Sequence, residues 1–206
     1  MNRDRETTSQ KIKSAVNPEG DLRKKLVETD RSLNSQISKL DKTIVKMTEK
    51  EKVLFNKTTG AMQKHESTMA QAYANELTEH RKAMKLVQSA KLSLEQVQLR
   101  LKTITDYGDL ANTIAPVGQV MRVVRTSLAK VMPSASDTLS EISTGLDGMM
   151  QEIGSISGVS MNFEANSEEA ERILAEASVV AETKMASTLP DLPDTGVTSS
   201  DTNTSI

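Results

Sequence analysis

The chain has 206 residues, 36% hydrophobic and only 2% aromatic, enough for one domain and a tail but poor material for a globular interior. Two Phe, two Tyr and no Trp leave Leu, Ile, Val, Met and Ala to do the packing, which suits narrow helix–helix seams. The lack of Cys excludes disulfides and thiolate metal sites, no apolar run approaches the roughly 20 residues of a membrane span, and the polar N-terminus does not read as a secretory signal. A cytoplasmic protein that meets membranes only at their surface is expected.

The formal net charge of −2 hides a division. Residues 1–105 hold 21 Lys and Arg against 13 Asp and Glu, whereas residues 106–206 hold 5 against 15. A basic surface for an anionic partner, with an acidic segment able to compete for it, is the implied arrangement.

Residues 1–20 are read as a flexible arm. It ends in the turn-rich Asn17-Pro18-Glu19-Gly20, and Lys11, Ile12, Lys13 and Val16 are its candidates for a short membrane-touching helix. Residues 21–105 are predicted to form a basic helical hairpin. Leu26, Leu33, Ile37, Leu40, Ile44, Met47 and Leu54 step by threes, fours and sevens in a first helix. Met69, Ala72, Leu77, Met84, Val87, Ala90, Leu94, Val97, Leu101 and Ile104 form the corresponding stripe of a second. Thr58-Thr59-Gly60 is the only breaker between them, so the turn is placed there and the stripes pair antiparallel.

In the first helix Lys39, Lys42, Lys46, Lys50 and Lys57 fall within an arc of roughly 80° beside the apolar stripe. Such a ribbon can follow an anionic lipid surface, a nucleic-acid backbone, or nothing beyond solvent. The second helix carries His65 and His80, with Glu76 four residues before the latter, but a helix-bundle metal site needs further inward carboxylates. Both are read as surface or seam residues, and neither metal nor cofactor is expected.

Beyond Thr105, six of the nine glycines lie between positions 108 and 158. Residues 106–153 are read as short helices on flexible joints, one from about 116 to 131 and one from about 134 to 153, followed by a linker over 154–166. An acidic helix is predicted over 167–186, with Glu168, Glu169 and Glu171 loading its first turn and Ala170, Ile173, Leu174, Ala177, Val180 and Ala181 on its apolar stripe. In the tail, 187–206, Leu189-Pro190-Asp191-Leu192-Pro193 favours an extended strip that docks into a groove. The Thr/Ser/Asn/Asp-rich remainder is read as disordered.

Taken in order, these features resemble the ESCRT-III family, over about residues 10–195. The stretch Val131-Met132-Pro133-Ser134-Ala135-Ser136-Asp137-Thr138-Leu139-Ser140-Glu141-Ile142 is similar to a helix junction of archaeal cell-division proteins of the CdvB type, and the Leu-Pro strip resembles an MIT-interacting motif. The resemblance implies an all-α subunit that polymerises with itself or paralogues on the inner face of the cell membrane, at the division site. The filaments constrict membrane necks, and an AAA ATPase carrying an MIT domain takes them apart. Lys39, Lys42, Lys46, Lys50 and Lys57 would face lipid, Ile173, Leu174, Ala177 and Ala181 would make an autoinhibitory contact, and Leu189, Pro190, Leu192 and Pro193 would bind the ATPase. The C-terminal winged-helix region of some CdvB-type proteins is not expected, since the sequence ends 13 residues after Pro193.

No Gly-rich phosphate loop, Cys nucleophile or metal cluster points to an enzyme. The alternatives are a nucleic-acid-binding coiled coil and a soluble coiled-coil scaffold. Nucleic acid is not the expected partner, because side chains for base stacking are almost absent.

Overall fold

A computed structural model describes residues 18–104, 107–157 and 163–191, with side-chain environments over 20–104, 113–153 and 167–191. Among these residues the chain is all-α, with five helices and no strand: α1 Pro18–Gln63, α2 Ser67–Lys102, α3 Tyr107–Leu128, α4 Pro133–Ser157 and α5 Phe163–Thr188. The N-terminal arm up to residue 17, the middle of the expected linker and the tail from 192 lie outside the described residues.

Helices α1 and α2 form the expected antiparallel hairpin. Of 46 and 36 residues, they run about 69 and 54 Å at 1.5 Å per residue. Their stripes meet along most of their length, with Leu33, Leu40, Leu77 and Leu94 at 0% exposure, but at the start of α2 Ala70 is the buried residue, while Met69 and Ala72 of the expected stripe are exposed. Each such side chain contributes about 1.5–3 kcal/mol by leaving water. Cross-seam pairs mark the register: Asp30 with Lys102, Asp41 with Lys91, Glu51 with Arg81 and Lys50 with Glu76. The Lys91 ammonium hydrogen-bonds Asp41 at 2.6 Å, holding that carboxyl below its ordinary range and raising the lysine. The pair's contribution therefore survives acidification below the usual aspartate range, until pH falls through the lowered value. At the alkaline end it is lost as pH rises through the raised lysine value. Because Asp41 is exposed, that contribution is small.

The turn does not fall at Thr58-Thr59-Gly60, which α1 runs through. Thr58 and Thr59 return their hydroxyls to the Leu54 and Phe55 carbonyls, and Thr58 continues the buried stripe to Ala61. The helix ends instead in a Schellman motif: Glu66 N–H donates to the Ala61 carbonyl (2.9 Å) and His65 N–H to the Met62 carbonyl (3.0 Å). His65 takes φ 59°, the left-handed position usually given to glycine.

The later helices are longer than the expected short pieces. Pro116 sits inside α3, which begins at Tyr107 rather than at the proline. Pro133 opens α4 as a first-turn proline, where its missing N–H costs nothing. Residues 154–157 and 163–166 of the expected linker are helical. Helix α3 folds back along α2, α4 packs on α3 and the N-terminal half of α1, and α5 packs across α2 and α3. All five share one core, from Leu22 and Leu40 through Val97 and Val117 to Leu146 and Ile173. Leu54, Ala61, Ala70 and Leu77 are buried outside that core, towards the hairpin tip.

Glu51 is 0% exposed, and the Arg81 guanidinium holds one of its carboxylate oxygens through two donors. Beside it, His80 Nε2 lies 2.8 Å from the Met47 carbonyl. Arg81→Ala strands a buried carboxylate and should cost about 3–5 kcal/mol in urea unfolding, whereas replacing both partners with Leu should cost far less. At the tip, Gly60→Ala should stabilise by about 1 kcal/mol, because a Cβ there meets nothing within 4 Å. His65→Gly should relieve about 1 kcal/mol of left-handed strain, and destabilisation by Gly60→Ala would instead place the turn at 58–60.

Candidate functional site

Two surfaces of the hairpin carry the chemistry. The first is the lysine face of α1, where Lys39, Lys42, Lys46, Lys50 and Lys57 are all exposed. Lys50 lies 3.4 Å from Glu76, and the Lys57 ammonium sits 5.6 Å from the Tyr73 ring centroid. Lys39, Lys42 and Lys46 make no ion pair among the described residues. Val53, 52% exposed, projects from the same side of the helix.

The second surface is the part of α2 that α5 covers. Ala170, Ile173, Ala177 and Ala181 of α5 are at most 3% exposed and Leu174 is half-buried, so all four residues named for an inhibitory contact lie in or beside the helix interface, whereas Val180 of the expected stripe is 48% exposed. Alanines at every turn but one let the helix backbones approach closely, and Ile173 supplies the bulk. Around this apolar strip the acids of α5 find partners: Glu169 pairs with Arg100 and Glu182 with Lys85, while Gln96 Nε2 donates to Glu176 at 3.5 Å. These charges run in antiparallel order along α2.

That placement differs from what the charge division suggested. The acidic helix neutralises α2 and leaves Lys39, Lys42 and Lys46 of α1 open. Lys85, Gln96 and Arg100 were not singled out in the sequence, although their spacings of 11 and 4 put them on one helix face.

The end of α5 leads straight into the Leu-Pro strip. Leu189 N–H donates to the Met185 carbonyl at 2.9 Å and the Thr188 hydroxyl to the Lys184 carbonyl at 2.6 Å. Leu189 is half-buried and Pro190 exposed; Leu192 and Pro193 lie outside the described residues. No group of His, Asp or Glu suited to a metal occurs among the described residues, and no described helix is long and apolar enough to cross a membrane.

A long helical hairpin carrying three further helices, the last an acidic one laid across its second arm, defines a class of helical assembly subunit. The chain belongs to the Snf7 family, that of ESCRT-III, whose pattern it matches over residues 28–197. Members are structural, polymerising proteins, and the chain is accordingly no enzyme. It is 41% identical to Cell division protein B1 of Sulfolobus acidocaldarius over 177 residues, covering 86% of this chain and 83% of that one. It is also 27% identical to Cell division protein B of the same organism over 172 residues, covering 84% of this chain and 66% of that protein. No solved structure matches.

The α5 contact gives two substitutions of different weight. Ile173→Asp buries an unpaired charge and should cost about 3 kcal/mol or more, freeing α5. Glu182→Ala removes one exposed pair and should cost under about 1 kcal/mol. Hydrogen exchange should show protection of 167–188 lost in the first variant, with α1 and α2 unchanged, and nearly retained in the second.

Proposed function

We propose that this chain is a membrane-remodelling subunit of cell division, polymerising with itself and with paralogues on the anionic inner face of the cell membrane to constrict and sever membrane necks. The observation that carries the reading is the open lysine face of α1 on a chain of this family. Lys39, Lys42 and Lys46, with Lys50 and Lys57 beyond them, give a cationic strip about 27 Å long from first to last lysine at 1.5 Å per residue. Each well-placed lysine is worth about 1 kcal/mol against an anionic bilayer. Val53 adds an apolar contact for the headgroup boundary. The names of the Sulfolobus relatives support the division setting and an archaeal source.

Under this reading α5 governs assembly rather than lipid contact, since it lies on α2 and not on the lysines. Releasing it exposes Lys85, Gln96, Arg100 and the apolar face beneath Ile173, Ala177 and Ala181 for another subunit. The strip Leu189, Pro190, Leu192 and Pro193 serves as the grip for an MIT-domain AAA ATPase. Its first residue caps α5, so force applied there acts directly on the inhibitory helix.

Co-sedimentation with anionic and neutral liposomes tests the reading, comparing the full chain with residues 1–160. Both should bind anionic vesicles, and only the shorter should assemble readily into filaments. Changing Lys39, Lys42 and Lys46 together to Ala should weaken lipid binding on the order of 100-fold, from three contacts of about 1 kcal/mol each. Absence of lipid binding by either form would overturn it in favour of a soluble scaffold, and salt-sensitive DNA binding in its place would favour the nucleic-acid alternative.

A further inference from the structure

Where α4 crosses α1 the two helices do not close on one another. A groove of about 470 Å3 runs between them, with Glu28, Thr29 and Ser32 on one wall and Glu141, Gly145 and Gly148 on the other. A methyl group added to Gly145 or Gly148 would meet no atom within 4 Å, so the floor on that side is open space. By contrast, the opposite side of α4, against α3, is filled by Leu139, Leu146 and the buried residues of α3.

Two features describe what would fill the groove. Glu28 and Glu141 stand exposed on its two walls without an ion-pair partner. Ile142 and Met149 also line it, offering apolar contact. The fitting occupant is a segment with positive charge, a few apolar side chains and backbone amides able to come close to glycine.

We propose that this occupant is the chain's own N-terminal segment, residues 1–17, folded back along α1 to seal α4 against it. The segment carries Arg3, Arg5, Lys11 and Lys13 against Asp4 and Glu6, and Ile12 and Val16 stand four apart. It joins the described structure at Pro18, from which Lys25 in the groove wall is about 10 Å along the helix and Ser32 about 21 Å. Even wholly helical, 17 residues cover about 25 Å, enough to reach the far end. The opposite terminal segment, 192–206, has Asp194 and Asp201 and no Lys or Arg, the wrong sign for Glu28 and Glu141. Seated there, the segment latches α4 independently of α5, and the inference does not depend on what the assembled polymer acts upon. Its departure would open the seam and present Lys11, Ile12, Lys13 and Val16 together.

The chain has no Cys, so engineered cysteine pairs report on this contact without background. Ile12→Cys with Gly145→Cys is oxidised in the full chain and the product mapped by mass spectrometry. The control pairs Ile12→Cys with Asn56→Cys, exposed near the hairpin tip. Docking should give an intramolecular crosslink whose yield is independent of protein concentration and exceeds the control by on the order of tenfold, as a local contact at roughly millimolar effective concentration requires. Reversing both acids, Glu28→Lys with Glu141→Lys, should cut that yield about fivefold or more while helix content by circular dichroism stays constant. In the unmodified chain, deleting 1–17 should speed amide exchange over 25–36 and 138–149 and leave α5 unchanged. Yield equal to the control would overturn the proposal. So would crosslinking only between chains, which would make a second copy's segment the occupant, or exchange unaffected by the deletion.

Discussion

The apolar seam between α1 and α2 is the contact on which the rest of the molecule is mounted. It runs along both arms, and α3, α4 and α5 each pack on part of it. An apolar seam alone tolerates sliding, because one leucine replaces another a turn away at little cost. The buried Glu51–Arg81 pair removes that freedom, since any shift leaves a carboxylate without its guanidinium in a dry interface. The Schellman turn at the tip supplies the second constraint, holding the arms in one phase. Later helices therefore find their docking faces already aligned.

On this base the contacts differ in kind, and that difference orders the molecule's possible rearrangements. The α3–α4 pair is apolar and tied by Arg125 to the Ser140 hydroxyl at 3.0 Å, so it behaves as one unit. The α5 contact is an alanine strip flanked by exposed ion pairs, individually weak but jointly specific for one antiparallel alignment on α2. The α1–α4 contact is polar, glycine-lined and open. Under the proposed reading, a chain built this way can release α5 and the α3–α4 unit separately while keeping the hairpin, as a subunit shared between monomer and filament needs.

The separation of the two charged surfaces bears on how such a subunit would be controlled. With the acids of α5 committed to Lys85 and Arg100, the lysines of α1 are available whether or not α5 is docked. Lipid contact and assembly are then separable steps under the proposed reading: a docked monomer can wait on the membrane, and release of α5 adds the subunit–subunit contact. Had α5 lain on Lys39 and Lys46, one event would have governed both.

The sequence by itself determined the hairpin, because a 3.6-residue stripe records which side of each helix must leave water, and two such stripes in one chain can bury themselves only on each other. It determined for the same reason that Ile173, Ala177 and Ala181 would be buried. Local composition was a poorer guide to boundaries. Thr58-Thr59-Gly60 and Pro116 look like breakers, yet threonine hydroxyls can bond back to the preceding turn, and packing along a whole helix outweighs the cost of one glycine or proline. Only the tertiary structure decided that His65 makes the turn, that α5 chooses α2 over α1, and that α4 leaves a gap against Glu28 and Ser32. The physical reason is common to all three. Periodicity along one helix says that a face needs a partner, whereas which helix comes to meet it, and how closely, depends on shapes and charges far apart in the chain.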